Sequence, residues 1–178
     1  FNTNPFSRYA ASNNDKMTTD HTQYMLTHHL GFSKNLTLTT TFYRNNFARN
    51  WYKLNDITFE GDQQKISNIL GDPTNYSDHF SIVNGTVNSS ADAIAVKANN
   101  RSYYAQGMQT KLDYHWYTEN LFHDLELGFR YHYDEEDRFQ WIDKYSISNT
   151  GVLTETTAGV PGTDANRISS AKAFASYI

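Results

Sequence analysis

Apolar and polar side chains alternate along several long stretches of this chain, and a period of two commits such stretches to β-strands. From Thr22 to Phe32 the even positions carry Thr22, Tyr24, Leu26, His28, Leu30 and Phe32. The odd positions from His21 carry Gln23, Met25, Thr27 and His29. After the small, polar segment Gly31-Phe32-Ser33-Lys34-Asn35, the residues Leu36, Leu38 and Phe42 share one face, and Thr37, Thr39, Thr41 and Tyr43 share the other. These two runs read as a hairpin with a short connection. The pattern resumes at Arg101. Tyr104, Met108, Leu112, Tyr114 and Trp116 fall on one side, and Tyr103, Gln109, Lys111, Asp113 and His115 on the other. The clearest run follows, with Leu125, Leu127, Phe129, Tyr131 and Tyr133 against Asp124, Glu126, Arg130, His132 and Asp134. In a last run, Ile168 to Ile178, the alanines Ala171, Ala173 and Ala175 leave the outward face undecided.

Antiparallel partners share a face, so even apolar positions in the third run require odd ones in the fourth. A register that meets this places Leu112 beside Phe129, Tyr114 beside Leu127 and His115 beside Glu126 on the polar side.

Such a chain has one greasy face per strand and little else to bury. Aromatic residues make up 15% of it, yet mean hydropathy is −0.70, poor for a conventional core. Lys111, Asp113, Glu126 and Arg130 stand in mid-strand, where a buried charge would carry a large desolvation cost. The connections alternate between short ones and long ones, the latter covering Asn45–Asn100 and Glu135–Arg167. Insertions of that size are uncommon in soluble domains and regular in outer-membrane barrels, which have tight periplasmic turns and long extracellular loops. Tyr114, Trp116 and Tyr117 beside the short turn, with Tyr103, Tyr104, Tyr131 and Tyr133 at the loop ends, fall where interfacial aromatic girdles would lie. The expected fold is all-β: residues 1–178 form one partial domain of a large antiparallel transmembrane β-barrel, against the lipid of a bacterial outer membrane. About five strands cannot close a barrel, so most of its strands are expected outside this sequence. A soluble β-sandwich or lectin-like module is the rival architecture.

Other classes are set aside on simple grounds. No apolar run reaches the length of a transmembrane helix, and no basic segment followed by an apolar one marks a signal peptide. A net charge of −4 and a pI near 5.9 give no footprint for nucleic acid. Zero cysteines exclude disulfides, thiolate metal sites and cysteine nucleophiles. No Ser-His-Asp spacing, phosphate-binding glycine loop or pair of catalytic carboxylates is present, so no enzyme and no cofactor is expected. His28, His29, His79, His115 and His132 are scattered, and adjacent histidines in a strand point to opposite faces, so no metal pair follows. The acidic run Asp134-Glu135-Glu136-Asp137 lacks the spacing of a calcium loop and reads as a solvated strand end.

Longer segments add a resemblance. Arg49-Asn50-Trp51-Tyr52-Lys53-Leu54, the stretch from Asn99 to Gln109, and Gly128 to Gln140 resemble segments of TonB-dependent outer-membrane receptors similar to the ferric citrate transporter. Asn149 to Gly162 and Asn166-Arg167 fit the same pattern, and the segments occur in family order. The resemblance implies a barrel of about 22 strands and an upstream plug. It also implies import of a ferric siderophore or ferric citrate-like chelate, driven by a TonB-type energy-coupling protein that engages an N-terminal region absent from this sequence. A passive outer-membrane channel, or a non-transport binding or assembly barrel subunit, are the alternatives.

Five residues are candidates for contact with such a ligand. Arg49, Trp51 and Tyr52 join a cation to aromatic rings where a strand enters a long connection, a composition suited to an anionic ferric complex. Arg101 and Arg130 face the barrel interior by parity and could either touch a ligand or pair with acids on neighbouring strands.

Overall fold

A computed structural model describes residues 7–178. The chain is all-β, with one antiparallel sheet of seven strands that does not close on itself. The strands are β1 (Lys16–Ser33), β2 (Leu36–Phe59), β3 (Asp62–Lys65), β4 (Ile94–Thr118), β5 (Leu121–Ile147), β6 (Leu153–Thr157) and β7 (Ala165–Tyr177), with two short helices, α1 (Ile66–Gly71) and α2 (Ser77–Asn84), between β3 and β4. The order across the sheet is β1-β2-β4-β5-β6, with β3 also paired to β2 and β7 to β5.

The two long connections expected at Asn45–Asn100 and Glu135–Arg167 are corrected. Asn45–Phe59 continues β2, residues 94–100 begin β4, and 135–147 extend β5. Two of the seven strands, β3 and β6, lie wholly inside the expected connections. The acidic and amide-rich composition of these stretches disguises strands whose polar side chains are satisfied along a strand or between strands. Tyr133 donates to Glu135 Oε2 at 2.7 Å, and the Gln140 amide donates to Asn99 Oδ1.

Two compact units share these strands. The first comprises the residues up to Thr19, Arg49–Arg101 and Arg138–Arg167; the second comprises Asp20–Ala48, Ser102–Asp137 and Ile168–Ile178.

The first unit has a core. Leu54, Ile57, Ile94, Val96, Ala98 and Ile147 from the strands meet Ala11, Ile69, Ile82 and Val83 from the helical segments. Helix α2 forms because His79, Ile82 and Val83 recur at i, i+3 and i+4 and all bury. Asp78 lies in its first turn, where it suits the dipole, and Gly85 ends it in the left-handed region at φ 68°. Burial of each large aliphatic side chain here is worth about 1.5–3 kcal/mol.

The second unit has no buried residue at all among its described positions. Tyr24 is 64% exposed, Leu26 66% and Phe174 69%, so none of the described residues forms a layer over the apolar face. Cross-strand contacts establish which residues share a face. Thr27 meets Thr41 at 3.1 Å and His29 Nδ1 meets Thr39 at 3.0 Å, joining the polar positions of β1 and β2. Between β4 and β5 the turn is only Glu119-Asn120. Tyr117 packs on Phe122 with ring centroids 5.0 Å apart, Trp116 stacks on His123 at 4.7 Å, and His115 pairs with Asp124 at 3.0 Å. This register corrects the expected one by two residues. Leu112 faces Leu127 and Tyr114 faces Leu125, while every side chain keeps its expected face, because only an odd slip would invert it.

On the polar face two tyrosines lie across glycines of the next strand. The Tyr43 ring crosses the bare backbone of Gly107 on β4 and reaches His132 Nδ1 on β5 at 2.7 Å; Tyr177 covers Gly128 in the same manner. A Cβ at either glycine would overlap the ring. Gly107→Val is expected to displace Tyr43 and to destabilise the second unit by about 1–3 kcal/mol, read as a lower unfolding midpoint of the full-length protein. Tyr43→Ala in that background should recover part of the loss by removing the clash.

Candidate functional site

Asn99 organises the polar face of the first unit. Its Oδ1 accepts from Arg101 Nε at 3.2 Å and from the Gln140 side-chain amide, so these three residues share one side of β4 and β5. In that register Arg101 faces Arg138. On the other flank, Phe47 stacks on Tyr103 at 5.9 Å, and two residues further along the same strand pair Arg49 comes opposite Arg101. Arg49, Arg101 and Arg138 therefore form a row across β2, β4 and β5, each also engaged in interactions within the fold.

Beside the row stand an exposed ring and two lysines. Trp51 is 43% exposed, and Lys53 Nζ lies 4.3 Å from the centroid of its ring. Lys97, opposite Lys53 in the same register, pairs with Asp164 at 2.7 Å. The patch combines guanidinium forks with an aromatic face. Forks bind carboxylate or phosphate oxygens two at a time, and clustered cations raise the local concentration of an anion.

The predicted residues divide accordingly. Arg49, Trp51 and Arg101 come together on this face. Tyr52 does not: one residue along a strand reverses the side chain, and its ring is buried in the core of the first unit. Arg130 belongs to the second unit, where it is exposed on the polar side of β5. Arg138, Lys53, Lys97, Asn99 and Gln140 were not among the candidates. Continuing the alternation from Arg130 by eight residues would have found Arg138, which shares its parity.

Near the acidic run, Asp134, Glu135 and Glu136 line a hollow of about 460 Å³ with Tyr103, Tyr104 and His132, all within the second unit. Among the described residues no group of three His, Asp or Glu side chains is placed to hold a metal ion.

Behind the cationic face, Tyr52 ties the core to the loop after β6. Its hydroxyl donates to Asp143 Oδ2 at 2.7 Å and lies 2.7 Å from the Tyr145 hydroxyl. Trp141 Nε1 donates to the same carboxylate oxygen at 3.3 Å, and the Gly159 amide donates to Oδ1 at 2.7 Å. Burial, the bonds to Tyr145 and Asp143, and the Asp143 charge all push the Tyr52 phenol above its ordinary value. Because the folded-state value is raised, the neutral phenol favours the fold below the ordinary phenol range near about 10, and that contribution is lost as pH rises beyond it. Alkaline titration followed by tyrosinate absorbance should show one tyrosine that ionises only as the first unit unfolds. Tyr52→Phe is expected to delete that step, and an unchanged titration curve would contradict the assignment.

Compared with known proteins, the chain matches no family model, no curated protein and no solved structure.

Proposed function

We propose that this chain is part of a TonB-dependent outer-membrane receptor that imports a ferric siderophore or ferric citrate-like chelate. The observation that carries the reading is the second unit: two-faced strands, largely apolar on one side and polar or charged on the other, with no described residue buried on either. A soluble sandwich would cover its apolar face with a second layer. Hydrocarbon on one side and a water-filled lumen on the other give both faces a solvent that suits them.

The cationic face of the first unit supports the ligand class. Arg49, Arg101 and Arg138 offer charge-assisted donors to an anionic chelate, Asn99 orients Arg101, and Trp51 supplies a flat surface for the chelator. Binding there asks for no bond-making chemistry; the residues attract, orient and partly desolvate the complex. Transport would then depend on a plug and on a TonB-type partner acting outside this stretch.

The test is uptake of radioactive iron by cells carrying the full-length protein, supplied as ferric citrate or a ferric siderophore. Uptake should stop when the proton-motive force is collapsed. Arg101→Ala and Arg138→Ala should each weaken binding of the chelate by about tenfold or more, the scale of a lost charge-assisted hydrogen bond. Uptake that continues without the proton-motive force would point instead to a passive channel and overturn the proposal.

A further inference from the structure

The face that carries the arginine row also receives a carboxylate from another part of the first unit. Lys97 stands four residues before Arg101 on β4, about 13 Å of strand, and alternation places both on the same side. The Lys97 ammonium lies 2.7 Å from Asp164 Oδ2, and each side chain is 25% exposed.

Asp164 comes from the segment between β6 and β7, residues 158–164, which belongs to the same unit. The tip of this segment is a tight turn. The Thr163 amide donates to the Val160 carbonyl at 3.2 Å, Pro161 presets the first corner, and Gly162 takes the second at φ 86°. Polar contacts tie the segment to the sheet. The Gly159 amide donates to Asp143 Oδ1 at 2.7 Å, the Asp164 amide donates to the Gln140 carbonyl at 3.1 Å, and the Asp164 carboxylate reaches Lys97. Val160 at the tip is 64% exposed, so apolar burial adds little there. A short segment held in this way opens locally at small cost.

We infer that Lys97 is a further ligand-binding residue, that Asp164 stands where a ligand carboxylate would, and that the ligand frees the segment by taking Lys97 from it. The inference rests on the anion-binding reading of the arginine row. The position beside Lys97 already accommodates a carboxylate, and the guanidinium forks further along the face suit the same group. A monoanion cannot serve the row and Lys97 together, so the ligand class is a polycarboxylate with acidic groups at both ends. Exchanging one carboxylate for another keeps Lys97 paired throughout and moves Asp164 into water, so no half-buried charge is left alone.

Hydrogen exchange and calorimetry on the full-length protein in detergent, with ferric citrate as the probe, test this. Ferric citrate should speed exchange of the Asp164 amide in wild type, an arm that needs no variant to fold. Acetate at the same ionic strength should not. Asp164→Asn should bind ferric citrate about fivefold tighter, the scale of one displaced ion pair, and its segment should exchange fast with or without the probe. Glu155→Gln removes the same charge from an exposed β6 position of the same unit and should bind as wild type does. Equal tightening by both variants, no tightening by Asp164→Asn, or release by acetate overturns the inference. So does ferric citrate binding that leaves the Asp164 amide protected. The ligand reading fails by a different result: ferric citrate then binds neither wild type nor Asp164→Asn, and the inference falls with it. Binding that Arg101→Ala weakens but Asp164→Asn leaves unchanged removes only this inference.

Discussion

A strand has two faces and turns each successive residue to the opposite one, so whatever covers one face determines what the other can hold. In the second unit that rule acts without any core to absorb errors. Leu26, Phe42, Leu112 and Leu127 lie on one face, and His29, Lys111, Glu126 and Arg130 on the other, with nothing buried between protein layers. The sheet is organised by backbone pairing and by contacts within each face. Examples are the threonine pairs of β1 and β2, the tyrosines laid over Gly107 and Gly128, and the aromatic cluster around the Glu119-Asn120 turn. The proposed membrane setting would give this open apolar face a non-aqueous surrounding.

In the first unit the same parity meets a different partner. Leu54, Ile94, Val96 and Ile147 occupy the positions that carry the apolar series elsewhere on β2, β4 and β5, but here α1, α2 and the turn at Ala10–Ser12 cover them. Covering one face with helices leaves the opposite face to water. On that face Arg49, Arg101 and Arg138 stand in their row, with Asn99 fixing the orientation of Arg101. The buried network of Tyr52, Tyr145 and Asp143 lies one residue out of phase with the row, and through Gly159 it holds the loop that follows β6. Leu54, Ile94 and Val96 in the core and the cationic row follow from one alternation, while Ile57 enters the same core out of phase with Leu54.

Much of this could be read in the residues. The first four alternating runs became segments of β1, β2, β4 and β5, the last falls in β7, and the odd offset between the third and fourth runs held even though the partners moved by two residues. The extent of the strands was not legible. Segments such as Glu135-Glu136-Asp137-Arg138 carry no apolar alternation, so the acidic run reads as the end of its strand; pairing across the sheet keeps the chain extended beyond it. For the candidate site, Arg49, Trp51 and Arg101 were found because cations beside aromatics stand out. Tyr52 was included by adjacency, which is a poor guide in a strand. Arg138 was missed because it lay beyond the expected end of its run.

The sequence by itself determined the class of structure and the face each residue takes, because a period of two is a local property that any strand must express. It also determined that one face would be apolar and the other charged. Only the tertiary structure decided which apolar stretch acquired a helical cover and which stayed bare, and which cations came into register across three strands. Those outcomes depend on residues far apart in the chain, such as Ile82 and Ile147 in one core or Gln140 bonded to Asn99. No local pattern encodes the distance between them.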